Sequence, residues 1–322
     1  MKKFLSAALA ALMILPLCAC AYQTPAQPSP TPTPQPDTEV LYEGSDLYLT
    51  YALIAVNPKA PFTDETGKKA SGAGINTAGA SALISWLLSD EGKKLAADYG
   101  KDKYGESVFT VSPEAPAVSS AIPSATARTK TVRLFAASAL KDSGLLDALL
   151  PVFEKKYGYT VETYASGTGK VLERARQGLA DAVLVQTGIQ EAGFLKDEFG
   201  LKQSGAKALA QPFVCGGYVL CGPSADPAGV KGAKNAAAAF RLIYDKRCPF
   251  ISLGDGSAAH NMEATLWPET LEITTAPESV TGYAQWYDYS GAGAAAALKL
   301  AGEKSAYVLV DREDYLSFAH QN

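Results

Sequence analysis

The stretch VRLFAASALKDSGLLDALLPVFEKKYGYTVETYASGTGKVLERARQGLADAVLV, residues 132–185, switches between two hydrophobic periods. Residues 132–137 form an apolar run of strand length. Residues 143–157 place Leu145, Leu146, Leu149, Leu150 and Phe153 at helical spacing. Residues 160–165 read as a strand again, 169–178 as a helix and 182–185 as a third strand. Strands alternating with helices of this length predict parallel pairing with helices on both faces. Residues 213–222, 233–244 and 305–310 continue the pattern, so the chain is read as an α/β protein.

Upstream, LTYALIAVNP (49–58) reads as a buried strand closed by a turn. Residues 77–99 read as one helix with Gly92 as a weak point and Gly100 as its stop. PEAPAVSSAIPSATARTK (113–130) is a low-complexity linker. At the start of the chain, Lys2 and Lys3 precede an apolar run from Phe4 to Leu17 that is too short to span a bilayer and has the layout of a secretory signal. Leu17-Cys18-Ala19-Cys20 resembles a bacterial lipobox, with Cys20 as the lipidated first residue of the mature chain. The proline-rich stretch that follows favours extended polyproline II and predicts a semi-rigid tether. The expected organisation is a signal at 1–19, a lipidated tether at 20–38 and a body at 39–322, on the outer face of a cytoplasmic membrane.

With 47% hydrophobic and 19% charged residues, the body can bury a substantial core. A net charge of −4 without a basic cluster argues against nucleic-acid binding. Two histidines and scattered cysteines argue against a catalytic metal, which wants about three ligands in one site. Cys215, Cys221 and Cys248 are an odd set and cannot complete a disulfide framework, so buried thiols are the expectation. No nucleophile–base or carboxylate pair stands out by spacing, so neither an enzyme nor a cofactor is expected.

From Val132 onward the chain resembles the tungstate-binding solute-binding proteins of ABC importers. The resemblance is carried by ASALKDSGLLDALLPVFEKKYGY (137–159), SGTGKVLERARQG (166–178), DAVLV (181–185), GPSADPAGVKGAKNAAAAF (222–240), PFISLGDGSAAHNMEATLW (249–267) and SAYVLVDREDYLSF (305–318). It implies a periplasmic-binding-protein-like fold: two α/β lobes with mixed sheets, joined by two hinge strands, and a tetrahedral oxyanion such as tungstate or molybdate held between them. It also implies a monomer that serves an ABC permease.

The family's usual ending, a strand followed by a helix reading like WLLSxEGxxL, stands here at the front, as LTYALIAVNP (49–58) and ALISWLLSDEGKKLAADYGKDKYGESVF (82–109). The expected fold is therefore a circular permutant. Its first lobe would be built from about 51–112 and 131–213 and its second from about 39–50 and 218–322. The 113–130 linker would join the family's usual termini, exposed and cleavable. Hinge strands are expected near 48–57 and 213–222.

Anion sites of this kind use helix N-termini, where first-turn N–H groups are unpaired and the dipole is positive. Three loops fit: Ser138 and Ala139 after the first strand, Ser166-Gly167-Thr168-Gly169, and Gly256-Ser257 before a helix carrying His260. Each is also an ordinary strand-to-helix turn. Gly169-Lys170 is not a phosphate loop, because the motif's glycine and hydroxyl positions hold Tyr164 and Val171. Lys170 is expected on the solvated surface.

By the resemblance, Leu253 stands where the family has an arginine, and Ala258 and Ala259 where it has Gly-Thr. Losing a guanidinium and hydroxyls weakens any hold on a dianion, unless Lys141 or Arg312 compensates. Tyr164, Tyr218, Trp286, Tyr287 and Tyr289 could frame a larger ligand, and His260 is expected to cap or hydrogen-bond. The leading expectation is a lipid-anchored solute-binding protein. The alternative is a surface sensor or interaction module on a degenerated binding fold.

Overall fold

Residues 38–70, 74–118, 121–202 and 209–321 are described in the computed structural model. The expected signal, Cys20 and nearly all of the tether lie outside them. The strands are β1 (Glu39–Tyr42), β2 (Tyr48–Val56), β3 (Thr110–Val111), β4 (Thr131–Ala137), β5 (Thr160–Ser166) and β6 (Ala182–Gln186). They continue with β7 (Gly200–Leu201), β8 (Gln211–Gly222), β9 (Phe250–Ser252), β10 (Tyr287–Tyr289) and β11 (Val308–Asp311). The helices are α1 (Thr77–Leu87), α2 (Asp90–Asp98), α3 (Lys101–Tyr104), α4 (Ser138–Asp142), α5 (Leu145–Tyr157) and α6 (Thr168–Arg176). Then come α7 (Ile189–Lys196), α8 (Ala236–Asp245), α9 (Ala258–Leu266), α10 (Ala294–Lys304) and α11 (Arg312–Gln321).

β4 pairs in parallel with β5 and with β6, as the alternation predicted. β6 pairs antiparallel with β2, and β2 with the first half of β8. Side chains alternate between two buried layers. Leu134, Ala136, Leu184 and Leu53 face one core, and Phe135, Val183, Val185 and Ile54 the other. Burial on both faces explains why these strands are almost continuously apolar.

The second half of β8 leaves that sheet. It pairs antiparallel with β11 through Cys221↔Val308 to Tyr218↔Asp311, and with β1 through Gly222↔Glu39. Beside β11, parallel β9 and β10 extend the second sheet through the Phe250↔Tyr307 bridge. A separate core surrounds it, with Phe240, Phe250, Leu298 and Tyr307 fully buried. β8 thus belongs to both sheets, and the β1–β2 connection crosses beside it. Gly217 sits at this crossing, where a Cβ would stand 2.8 Å from the Leu47 carbonyl oxygen. Glycine is needed there for close backbone approach.

One expected helix is divided and another starts later than expected, behind an extra short helix. Residues 77–99 break into α1 and α2 at Ser89, whose Oγ donates to the Trp86 carbonyl at 2.6 Å and accepts from Gly92 N–H at 3.3 Å. Gly92 is a close-approach position rather than a weak point, since a Cβ would meet Trp86 O at 2.3 Å. Residues 143–157 are preceded by the short α4, and the helix proper starts after Gly144.

The upstream segment is knitted into the first sheet. The buried Asp181 carboxylate accepts from Asn76 N–H at 2.8 Å, Arg133 N–H at 2.8 Å and Arg133 Nη2 at 2.6 Å. Asn76 in turn caps α1 through Gly79 N–H. The linker after β3 lies along the same half of the molecule, with Lys93 Nζ donating to Pro116 O and Ala125 N–H to Tyr157 O. Ala115, Val118 and Ile122 pack on the core there, so the linker is only partly exposed. Cys215, Cys221 and Cys248 are free, buried thiols. No described helix is long and apolar enough to cross a membrane.

Candidate functional site

A cavity of about 360 Å³ opens where β8 passes from one sheet to the other. That is within the usual range for small-solute pockets. Ser138, Ala139 and Asp142 of α4 line one side, and Ser257 and Ala258 at the start of α9 another. Gly216 and Gly217 form the floor. Tyr51, Val108 and Phe109 supply apolar surface. The remaining wall is the β11–α11 junction, Asp311 to Asp314.

Three of the sequence-derived candidates therefore meet here: Ser138, Ala139 and Ser257. The Ser166-Gly167-Thr168-Gly169 loop lies at the carboxyl end of β5, on the same sheet edge as Ser138. Thr168 opens onto a different, smaller cavity of about 240 Å³, with Gln186 and Thr187. Leu253 corrects an expectation. It is only 3% exposed, packs in the second core and does not line the cleft. The position expected to remove an arginine from the pocket wall is filled by a core side chain.

The α9 loop offers an anion little. Gly256 N–H donates to His260 Nδ1 at 3.0 Å and Ser257 N–H to Asp255 Oδ1 at 2.9 Å. The Ser257 hydroxyl accepts from His260 N–H, capping α9. His260 thus hydrogen-bonds, as expected, and burial holds its pKa below the ordinary value. Glu263 anchors this region from inside. It accepts from Ser252 Oγ at 2.6 Å, Trp267 Nε1 at 2.9 Å and Tyr287 OH at 2.7 Å, and burial raises its pKa.

The compensating cations are also occupied. Lys141 pairs with Asp147. Arg312 donates from Nη1 to Glu43 and from Nη2 to Glu106, each at 2.5 Å, and from Nε to Ser107 O. Asp142, Asp311, Glu313 and Asp314 make the cleft acidic. Burial, then the neighbouring Asp314 and Glu313, pushes Asp311 up to about 7. Burial, then Asp314, likewise raises Glu313 to about 7. Two unit charges 4 Å apart interact by about 4 kcal/mol near a protein surface, so a dianion beside even one ionised carboxylate meets several kcal/mol of repulsion.

The aromatic residues named from sequence lie elsewhere. Tyr218, Trp286 and Tyr287 are buried, while Tyr164 packs on Phe135 and under Arg174. Tyr51 and Phe109 line the cleft instead. Lys170 is exposed and pairs with Glu173. Among the described residues, no group of three or more His, Cys, Asp or Glu could hold a metal ion.

A protein of Haloferax volcanii named as a candidate ABC transporter anion-binding protein is 35% identical over 189 residues, covering 59% of this chain and 51% of its own length. The tungstate-binding protein TupA of Peptoclostridium acidaminophilum is 32% identical over 189 residues, covering 58% of this chain and 61% of its own. The chain thus spans between half and two thirds of these relatives. Among solved structures, tungstate-binding TupA from Desulfovibrio alaskensis G20 is 29% identical, with a TM-score of 0.47 over 60% of this chain and 71% of that one. A tungstate ABC transporter structure from Geobacter sulfurreducens is 33% identical, with a TM-score of 0.40 over 59% of this chain and 75% of that one. The family model described as the PBP superfamily domain matches residues 123–322, well over half of the sequence, and the chain belongs to that superfamily.

Proposed function

We propose that this chain is an extracytoplasmic solute-binding protein of an ABC importer, held to the membrane through lipidated Cys20 and working as a monomer with a permease. The observation that carries the reading is the cavity at the crossing of β8, where both sheets contribute walls and Gly217 lets the backbones pass closely. A solute there touches both halves and so favours their closed arrangement. The names of the relatives, which bind anions or tungstate, support the transport class.

The reading includes a rotated chain order. It is supported by the match beginning at residue 123, although β2 and α1 from upstream complete the same sheet and core. It also includes weak or absent tungstate binding, now for a different reason from the one expected. The cause is the carboxylate lining and the occupied Arg312, with Leu253 playing no part in the cleft. Thermal-shift screening of the full chain against oxyanions and small organic solutes tests the class. A ligand at 100 times its dissociation constant adds about 2.7 kcal/mol of stability. If no solute in a broad panel stabilises the protein, the sensor or interaction reading replaces this one.

A further inference from the structure

We propose that the cleft takes an oxyanion only together with protons, which neutralise Asp311 and Glu313 as the ion enters. The inference rests on the solute-binding reading above and names the condition under which the same cleft holds an anion.

The cavity sets two features against each other. Ser138 and Ser257 bring hydroxyls to its lining, whereas Asp142 stands on one side and Asp311, Glu313 and Asp314 on the other. Arg312 is the only basic residue among those lining it, and Glu43 and Glu106 hold its guanidinium. With the carboxylates ionised, an entering anion meets like charge from α4 and from the β11–α11 junction, and no unpaired basic group in the lining. Each proton taken up removes one such charge and turns an acceptor-only carboxylate into an O–H donor. Protons from water therefore convert a lining that repels an oxyanion into one that can hydrogen-bond it.

Asp311 and Glu313 are placed to take those protons. Asp311 ends β11 beside β8 and is faced by Asp314 and Glu313 of α11, Asp255 before α9, Tyr51 of β2 and Tyr218 of β8. Glu313 is faced by Asp314, by Asp142 across the cleft, by Tyr99 after α2 and by Lys103 of α3, the one basic group of this set. Burial first, and then the neighbouring carboxylates, hold both at about 7. A bound anion adds like charge and raises them further, and by reciprocity each proton tightens the anion. Affinity is therefore greatest on the acid side and falls as pH rises through about 7. His260 does not supply the charge: burial holds its pKa below the ordinary value, and its Nδ1 already accepts from Gly256 N–H.

Sulfate is the probe, because it remains a dianion across this range and any pH dependence then belongs to the protein. Calorimetric titration of the full chain should show saturable sulfate binding at pH 5.5, weakened about tenfold or more at pH 8. At pH 7 the binding enthalpy should change with the ionisation enthalpy of the buffer, reporting net proton uptake. Asp311→Asn and Glu313→Gln should each shrink the pH 5.5-to-8 affinity ratio several-fold, with Asp142→Asn as a third variant if either fails to melt cooperatively. A histidine-driven effect would leave that ratio unchanged. Equal affinity at both pH values, release of protons on binding, or an unchanged ratio in every folded variant would overturn the inference. So would sulfate silence at pH 5.5: a solute found in the broader panel would then leave the solute-binding reading standing, and silence throughout that panel would remove both.

Discussion

The guanidinium of Arg312 and the carboxylate of Glu43 lie 2.5 Å apart at the mouth of the cleft, so the basic group best placed to meet an anion is already paired. Glu106 takes its other terminal nitrogen. Replacing both carboxylates by glutamine, Glu43→Gln with Glu106→Gln, should free that charge. Saturable tungstate binding should then appear in calorimetry at concentrations where the unmodified protein shows none. No gain would mean that Arg312 does not reach the solute space.

Stability should depend on pH through Asp311 and Glu313. Both have native values of about 7, above the ordinary ~4 of an unfolded chain. The native state therefore holds more protons between those values, and its stability falls as pH rises from about 4 to 7. Asp311 is faced by Asp314, Glu313, Asp255, Tyr51 and Tyr218, and Glu313 by Asp314, Asp142 and Lys103. Urea unfolding should show Asp311→Asn more stable than the parent at pH 8 by on the order of 2 kcal/mol, with the gap closing near pH 4. An equal difference at both pH values would refute the charge account.

Leu253→Arg should damage the protein rather than restore an anion site. The side chain is buried in the second core, so an arginine there must hide an unpaired charge or force the loop out. A loss of roughly 3–5 kcal/mol is expected, read by denaturant melts, without gain in tungstate binding. A stable variant with improved binding would return this position to the cleft.

Asp181→Ala tests whether the upstream segment belongs to the first sheet. It removes the carboxylate shared by Asn76 and Arg133, and with it the ion pair to the partly buried Arg133. Unfolding should remain a single transition, with stability lower by roughly 3–5 kcal/mol. Trypsin cutting after the exposed Arg128 should likewise leave two pieces that elute together, because β2 lies between β6 and β8. Separation of the pieces would contradict the rotated single fold.

The strands and helices of 131–186 were legible because their two periods are clean and both faces of the sheet are buried. The Ser89 break was hidden because the apolar spacing runs through it; only the cap and the close approach at Gly92 divide the helix. Ser138, Ala139 and Ser257 could be found because their strand-to-helix turns coincide with the stretches that carry the family resemblance; a single such turn would have read as an ordinary cap. The acidic wall could not be found this way. Asp142, Glu313 and Asp314 read singly as helix-end charges, and only the pairing of β11 with β8 brings Asp311, Glu313 and Asp314 opposite Asp142 of α4. Tyr51 and Phe109 carry the pattern of core residues, and most of their surface is indeed core.

The most direct measurement is calorimetric titration of sodium tungstate into the full chain at pH 8, above the values of about 7 to which burial raises Asp311 and Glu313. The carboxylate lining and the pairing of Arg312 predict no saturable binding up to millimolar concentrations. Binding at micromolar or lower concentration would contradict the electrostatic reading of the cleft.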